Sequence, residues 1–305
     1  MTLKTSSDAS YVLPVDKPVG PTSHDIVARA RRALKTRRVG HTGTLDPFAS
    51  GLLLLCVGNA TRIAEYLTAL PKTYEAELIL GAATDTDDRT GTVISTSETW
   101  RSLDETVIRA AFHRWIGTHE QRPSQYSAKK IDGERAYDAA RRGETVDIKP
   151  VSITIHDITI DTMNLPSVSF TVTCSSGTYI RALARDIGDA LGTGAHLTVL
   201  RRTRVGAHDV AHAVPLDQLD DAGLVAQRAL SPLAAVAHMP CIEIDDAGVR
   251  EIGHGRALHM DAYRSAAGVA GVPAQSIVLT HDGELIAMAQ EDQGLLRPKK
   301  VFAHG

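Results

Sequence analysis

Asp46 stands alone as the carboxylate of the segment GHTGTLDPFASG, residues 40–51, which follows a run of basic residues. Four chemically distinct uses are open to it. An Asp-Pro pair commonly initiates a turn. A phosphate-binding loop is disfavoured because the GK[ST] sequence is missing and a carboxylate repels phosphate. A general acid–base pair needs a second carboxylate, and none is close in the sequence. A carboxylate nucleophile can act alone if a cation keeps it ionised.

The segment SSGTYIRALARDIG offers a candidate for that cation. Arg181 falls in the first turn of a predicted helix, where the helix dipole disfavours positive charge by a few tenths of a kcal/mol. Either the arginine has an anionic partner, or it is an ordinary exposed helix residue. Tyr179 comes two residues earlier and is either a core aromatic with a satisfied hydroxyl or a platform on which a base stacks.

Basic residues form three clusters in a chain whose formal net charge is -3. Each cluster could be a solvated surface, but three of them in a chain that is not basic overall indicate a local nucleic-acid-binding face. RNA is favoured over DNA because no helix-turn-helix, zinc-finger or basic-zipper pattern is visible. The clusters consist of Arg29, Arg31, Arg32, Lys35, Arg37 and Arg38; of Lys129, Lys130, Arg135, Arg141 and Arg142; and of Arg201, Arg202 and Arg204.

Patterns typical of metal or redox sites are weak. His208 and His212 have the spacing of H-E-x-x-H but lack its central glutamate. The aspartates of residues 84–91 lack the spacing of a calcium-binding loop. The sequence therefore predicts neither a metal nor a cofactor. The cysteines are interpreted as buried small hydrophobic residues in a reducing compartment; they are Cys56, Cys174 and Cys241.

The elements that must position these residues follow from hydrophobic periodicity. Thr22 and Asp25 have the spacing of a capping box at the start of a helix, and the segments flanking His281-Asp282-Gly283 predict a hairpin. Hydrophobic residues make up 43% of the chain, enough for a sizeable core. The predicted strands are 11–18, 51–58, 73–81, 151–160 and 167–176, and the predicted helices are 22–34, 60–70, 103–116, 179–191, a piece near 135–142 and most of 216–236.

The longest apolar run, Leu52 to Val57, is far too short to cross a bilayer. The first ten residues, MTLKTSSDAS, lack the apolar centre of a signal peptide. Together these features predict a soluble cytoplasmic protein.

Five segments, in this order, resemble the motifs of the bacterial tRNA pseudouridine-55 synthases, the TruB family. They are DKPVGPTSHD, GHTGTLDPFASG, KTYEAELILGAATDTDDRTG, RPSQYSAKKIDGERAYDAARRGE and CSSGTYIRALARDIGDALGTGAHLTVLRRTRVG. The resemblance implies an α+β pseudouridine-synthase fold with a central mixed, mostly antiparallel sheet and a small C-terminal PUA-like β-rich domain. It places a catalytic domain at 1–238, with an RNA-gripping insertion at about 121–150, and an RNA-binding domain at 239–305.

The implied activity is isomerisation of uridine-55 in the TΨC loop of tRNA to pseudouridine. The family flips the target base, breaks its glycosidic bond with the help of an aspartate and forms a carbon–carbon bond, using no cofactor and no metal. The expected partner is the tRNA T-arm, and the expected state is a monomer. An alternative of another class is a non-catalytic RNA-folding protein on the same scaffold; a third, a metal- or phosphate-dependent hydrolase, lacks the required motifs.

The resemblance also assigns residues. Asp46 matches the nucleophile, and three further residues match catalytic positions: Tyr74, Tyr179 and Arg181. Whether Asp46 attacks C1′, attacks C6 or abstracts a sugar proton stays open. The expected substrate-binding residues are His41, Leu200, Asp88, Gly43, Thr44 and Lys17.

Overall fold

The computed structural model describes residues 10–124, 130–131, 134–135, 148–263 and 276–302. The helix predicted near 135–142 lies outside these residues, as does most of the predicted insertion. The strands are β1 Tyr11–Lys17, β2 Val39–His41, β3 Ser50–Val57, β4 Lys72–Leu80, β5 Ala82–Thr84, β6 Val93–Thr96, β7 Gly117–Gln121, β8 Lys130–Ile131, β9 Glu134–Arg135, β10 Val151–Asn164, β11 Ser167–Cys174, β12 Ala195–Val205, β13 His208–Asp209, β14 Val214–Pro215, β15 Cys241–Glu243, β16 Leu258–His259, β17 Ser276–His281, β18 Glu284–Asp292 and β19 Leu295–Val301.

Seven α-helices and five short 3-10 helices connect the strands in the described residues. The α-helices are α1 Ser23–Ala33, α2 Ala64–Thr68, α3 Glu105–His113, α4 Ile180–Ala190, α5 Ala222–Arg228, α6 Pro232–Ala235 and α7 Asp246–Gly253; the 3-10 helices are Gly58–Ile63, Thr99–Ser102, Val210–His212, Leu216–Gln218 and Met260–Ala262. None of the α-helices in this part of the chain has the length and hydrophobicity needed to cross a bilayer.

Ten strands form the main sheet, whose central path runs β14-β1-β3-β12-β4-β11-β10-β7, with β2 beside β3 and β13 beside β12. Two contacts are parallel, β1 with β14 and β3 with β12, and the others are antiparallel. The predicted mixed, mostly antiparallel sheet is confirmed. Strand β11 alternates buried and half-buried residues, as expected where one face packs on the core.

Strand β3 has no such alternation, because both of its faces are covered. Leu53, Leu55 and Val57 pack with helix α1 on one face, while Leu52 and Leu54 pack on the other. This explains the unbroken apolar run in its sequence. The loop that carries Asp46 leads directly into this strand, so the C-terminal end of the loop is anchored in the best-buried part of the sheet.

The second sheet has five strands in the order β15-β17-β18-β19-β16. Its β17–β18 hairpin turns at residues 281–284, as predicted. The sheet shares an apolar cluster with the main sheet, in which Val278 and Met288 join Val12 and Leu54. An ion pair between Lys300 and Glu65, 2.5 Å, lies at the same boundary.

Several helix predictions needed correction. The capping box at Thr22 and Asp25 is present, but the helix predicted at 60–70 begins as a 3-10 helix and becomes α-helical only at Ala64. The helical stretch predicted at 216–236 is three short pieces. Asp221 and Ser231 each cap a new helix start with a side-chain oxygen, which divides the segment.

The cysteine interpretation holds for two of the three residues. Cys56 and Cys174 are buried, and burial raises their thiol pKa values to about 12 and about 11. Cys241 is exposed, so its interpretation as a buried residue was wrong. It lies in β15, at the edge of the second sheet, where only one neighbouring strand covers it.

Gly51 pairs with Arg202 in the parallel contact between β3 and β12 and has a positive φ of 105°. A Cβ at this position would lie 2.2 Å from the carbonyl oxygen of Arg202. We therefore expect Gly51→Ala to lower the free energy of unfolding by about 3 kcal/mol or more, through strain and backbone collision. Urea unfolding measures this value.

Gly20 provides the matched control. It has a similar φ of 114°, but no atom of the described residues lies within 4 Å of the Cβ position. We expect Gly20→Ala to show the conformational strain alone, about 1 kcal/mol. Equal losses for the two variants would contradict the close approach at Gly51.

Candidate active site

The loop of residues 42–49 holds Asp46 just before strand β3. The Ser23 hydroxyl, at the start of α1, accepts from the Leu45 N–H (2.9 Å) and donates to the Leu45 carbonyl oxygen (3.1 Å). Leu45 and Phe48 are buried in the core on either side of the aspartate. The Ala49 N–H donates to the Asp46 carbonyl oxygen (3.1 Å), so the predicted Asp-Pro turn is present and also presents the carboxylate.

Arg181 is the ionic partner of Asp46. Its Nε lies 2.8 Å from Asp46 Oδ2, and the arginine side chain is 5% exposed while that of Asp46 is 35% exposed. The guanidinium is therefore buried behind a carboxylate that still faces open space. An arginine this deeply buried is stable only when paired, so the interpretation of Arg181 as an exposed helix residue was wrong.

Asp88 contacts the same guanidinium from the other side. Its Oδ2 lies 3.4 Å from Arg181 Nη1, and Nη1 also donates to the Thr86 carbonyl oxygen at 2.9 Å. The other oxygen of Asp88 accepts from the Thr90 N–H (2.9 Å) and from the hydroxyls of Thr86 (2.9 Å) and Thr90 (2.5 Å). The fold thus brings a second carboxylate to the site that the sequence around Asp46 does not contain.

A cavity of about 480 Å³ opens in front of the Asp46–Arg181 pair, a volume within the range of ligand sites. It contains seven of the predicted site residues and leaves His41, Lys17 and Asp88 just outside its lining. The lining residues are Gly43, Thr44, Leu45, Asp46, Thr68, Lys72, Tyr74, Ser176, Gly177, Thr178, Tyr179, Ile180, Arg181, Leu200 and Arg202.

Tyr74 and Tyr179 present aromatic rings to this cavity from different elements. Tyr74 lies on β4 and is 8% exposed. Burial raises the pKa of its phenol, with the positive charge of Arg202 opposing that shift, so the hydroxyl is protonated at neutral pH. Tyr179 is half-buried and immediately precedes helix α4. Leu200, on β12 and 6% exposed, adds an apolar wall.

His41 and Lys17 support the loop from outside the cavity. The Nδ1 atom of His41 accepts from the Gly43 N–H (3.3 Å), and burial lowers the pKa of its imidazole, so the ring is neutral at pH 7. Lys17 is fully buried and donates to the Ala49 carbonyl oxygen (2.6 Å). Burial lowers the pKa of Lys17 to about 8, against the opposing effect of Asp46.

Arg202 was missed as a site residue. It was assigned to a basic RNA-binding cluster, yet it is 2% exposed, so that assignment was wrong. Its Nε donates to the Leu52 carbonyl oxygen (2.7 Å) and its Nη2 to that of Gly43 (3.1 Å). The signal was present in the sequence: Arg202 and Leu200 are two residues apart on one strand and therefore share a face.

The two-residue alternation of a strand also identifies Lys72 as a residue of the cavity face, because it precedes Tyr74 by two residues on β4. Lys72 is 5% exposed and lines the cavity. Its ammonium donates to the carbonyl oxygens of Thr68 and Leu70 at the end of α2. Burial, followed by the charge of Arg202, lowers the pKa of Lys72 to about 8. Buried positive groups therefore surround the cavity.

The first basic cluster occupies an exposed surface. Its six residues lie at least partly exposed along α1 and the turn after it: Arg29, which forms an ion pair with Asp220 (2.7 Å), Arg31, Arg32, Lys35, Arg37 and Arg38. Helix α1 is also the element whose first residue holds the Asp46 loop. The third cluster divides: Arg201 and Arg204 form ion pairs with Asp16 (2.7 Å) and Asp209 (3.0 Å), while Arg202 is buried.

Comparison with family models gives two matches that meet end to end. Residues 31–180 match the N-terminal domain of the TruB family pseudouridylate synthases. Residues 181–237 match the C-terminal domain described for tRNA pseudouridylate synthase B. The boundary between the two matches falls between Ile180 and Arg181, inside the cavity lining, so both segments contribute to the site.

Relatives and solved structures resemble nearly the whole chain. The chain is 44% identical over 298 residues to tRNA pseudouridine synthase B of Burkholderia mallei (strain NCTC 10247), covering 96% of this chain and 97% of the relative. It is 41% identical over 305 residues to tRNA pseudouridine synthase B of Thermobifida fusca (strain YX), with coverages of 97% and 99%.

Among solved structures, a chain from an H/ACA RNP bound to a substrate RNA containing 2′-deoxyuridine matches with a TM-score of 0.75 and 26% identity, covering 96% of this chain and 85% of that chain. The archaeal box H/ACA sRNP Nop10-Cbf5 complex gives a TM-score of 0.74 at 27% identity, with coverages of 96% and 86%.

Proposed function

Because this chain belongs to the TruB family of pseudouridylate synthases and isomerises uridine in tRNA to pseudouridine, we propose that its target is uridine-55 in the T-arm. The observation that supports a catalytic role for the site is the Asp46–Arg181 pair, 2.8 Å between Oδ2 and Nε, at a cavity of about 480 Å³. The exposed basic residues of α1 and the following turn would hold the phosphates of the folded RNA.

The target base must leave its stack to reach Asp46. Flipping a nucleotide costs a few kcal/mol, and stacking on an aromatic ring returns about 1–3 kcal/mol per base. Tyr74 and Tyr179 line the cavity and supply such rings, and Leu200 adds an apolar contact. The flipped uracil is therefore expected to sit between these side chains, with its sugar next to Asp46.

The reaction breaks the C1′–N1 bond, turns the uracil and joins C5 to C1′. The proton that C5 loses and the proton that N1 gains balance, so the product is an isomer and no electrons are supplied or removed. Asp46 is the proposed nucleophile, attacking C1′ or C6; in the third route it acts instead as the base that removes a sugar proton. The hydroxyl of Tyr74, whose pKa is raised by burial, is the proposed participant in the proton transfers at the base.

Arg181 and its partners keep the nucleophile in place. The guanidinium contacts Asp46, Asp88 and the Thr86 carbonyl oxygen together, which fixes the carboxylate relative to both the 84–91 loop and α4. A site fixed in advance in this way loses little free energy to reorganisation during the reaction. Leu200 and the aromatic walls would keep water from the detached uracil.

The remaining assignments concern the whole chain. We assign residues 1–238 to the catalytic domain and 239–305 to a PUA-like RNA-binding domain, supported by the separate five-stranded sheet between Cys241 and Val301. We also propose that the protein acts as a monomer in the cytoplasm and uses neither a metal nor a cofactor.

The direct test is to map pseudouridine in an unmodified tRNA transcript after incubation with the full chain. Carbodiimide labelling followed by primer extension is expected to stop at position 55, and EDTA should leave the yield unchanged. A transcript with cytidine at position 55 is the matched control and should give no stop there. A stop elsewhere, or none, would contradict the proposed target.

A further inference from the structure

Gln121 makes an unusual contact with the active-site wall. It ends strand β7, is fully buried, and is far from Tyr179 in the sequence. Its Oε1 accepts from the Tyr179 N–H at 2.9 Å, and its Nε2 donates to the Tyr179 carbonyl oxygen at 3.1 Å. The side-chain amide therefore pairs with the backbone of Tyr179 as a peptide of a neighbouring strand would.

The residue held in this way is the N-cap of α4, immediately before the first helical residue. The Tyr179 carbonyl oxygen also accepts from the Leu183 N–H (3.0 Å), the first hydrogen bond of the helix. Arg181 is two residues further on and carries the contact to Asp46. A shift of the Tyr179 backbone would therefore move the Tyr179 ring and the first turn of the helix together.

Gln121 is itself rigidly held. It pairs with Val151 of the neighbouring strand β10 in the main sheet. The next residue is fixed to the same helix one turn later, because Arg185 Nη2 donates to the Arg122 carbonyl oxygen at 2.8 Å, and Arg185 Nη1 lies 3.1 Å from Asp87 Oδ2. The end of β7 thus forms hydrogen bonds both to the N-cap residue of α4, Tyr179, and to Arg185 within the helix.

A buried side-chain amide is costly unless it is hydrogen-bonded. An apolar residue would end the strand without that cost, so the physical use of an amide here is its pairing with Tyr179. We infer that Gln121 is a positioning residue for the reaction, acting through the backbone of Tyr179 to hold the Tyr179 ring and Arg181 against the cavity. This inference rests on the proposed function.

Gln121→Met tests it, because methionine nearly keeps the length and volume but makes neither hydrogen bond. The reaction is followed as tritium release from tRNA labelled at uracil C5, under single-turnover conditions with excess enzyme. We expect the rate constant to fall about 10- to 100-fold, as small misplacements in active sites do. The tRNA dissociation constant should stay within about twofold, and the fraction of enzyme that binds tRNA should be unchanged.

The fraction of active enzyme, measured by titrating the enzyme with tRNA well above the dissociation constant, separates a positioning role from a merely structural one. A structural defect lowers the fraction of active enzyme or the melting temperature and leaves the rate constant of the folded fraction unchanged. Gln218→Met, at an exposed position in a 3-10 turn, is the control and should match the wild type. If the Gln121→Met variant does not melt in a single transition, Gln121→Glu replaces it in the same assay with the same expected fall in rate constant. Glutamate keeps one oxygen that can accept from the Tyr179 N–H.

A rate constant within about twofold of the wild type, or a loss confined to the fraction of active enzyme, would overturn the inference. If the wild-type chain itself releases no tritium, the proposed function fails instead, so the two failures are distinguishable.

Discussion

Replacing Asp46 with asparagine is expected to abolish pseudouridine formation while tRNA binding persists. The amide is nearly the same size and still lies beside Arg181, but it cannot act as an anionic nucleophile. Removing a nucleophile typically costs about ten-thousandfold or more in rate. Binding is proposed to depend mainly on phosphate contacts at the exposed basic residues, which this change leaves intact. Tritium release measures the rate, and filter binding measures the affinity.

The same variant separates two classes of function. A protein that only helps RNA to fold would keep its activity without the carboxylate, whereas a synthase would lose pseudouridine formation alone. Asp217→Asn, at a carboxylate outside the cavity lining, is the control. Near-normal tritium release from the Asp46→Asn variant would end the nucleophile proposal.

Arg181→Lys is expected to lower the single-turnover rate by about 100- to 1,000-fold even though the charge is kept. Three groups share this guanidinium: Asp46 at Nε, and Asp88 and the Thr86 carbonyl oxygen at Nη1. An ammonium is a single compact charge and cannot meet contacts that diverge in this way. The Asp46 carboxylate would then lose its fixed orientation. The rate is measured with saturating enzyme, so weaker binding does not contribute.

Arg204→Lys provides the matched control, because Arg204 also forms an ion pair, with Asp209 at 3.0 Å, but its side chain is 59% exposed. Exposed pairs contribute little, so this variant should keep its rate within about twofold. If Arg181→Lys and Arg204→Lys behave alike, the shared guanidinium is not what holds the nucleophile.

Much of the fold could be predicted because its elements follow simple periods. The alternation in β11 and the apolar stripe of α4 predicted a strand and a helix at nearly the observed bounds. Residues 216–236 are mostly helical, as predicted, but local capping at Asp221 and Ser231 divides them into short pieces that the periodicity did not indicate. Caps decide where a helix starts, and a stripe of hydrophobic residues does not reveal them.

Only part of the candidate site could be predicted from the sequence. The Asp46 segment and Arg181 were identified locally, but the contact between Arg181 and Asp88 depends on two distant segments meeting in space. Arg202 was misassigned because arginine is rarely buried, although its position two residues after Leu200 placed it on the cavity face. Gln121 carried no signal, since a glutamine at a strand end is ordinary until its partner is known.

The apolar cluster common to the two sheets packs them against each other. Val278 and Met288 cover the side of β1 and β3 on which Val12 and Leu54 lie. A fragment ending before the second sheet would expose that side to water and invite aggregation, so the second sheet is also a structural cover for the first. Substitutions that destabilise the hairpin at residues 276–292 would therefore also disturb strand β3, which follows the Asp46 loop. This effect does not require the hairpin to contact RNA.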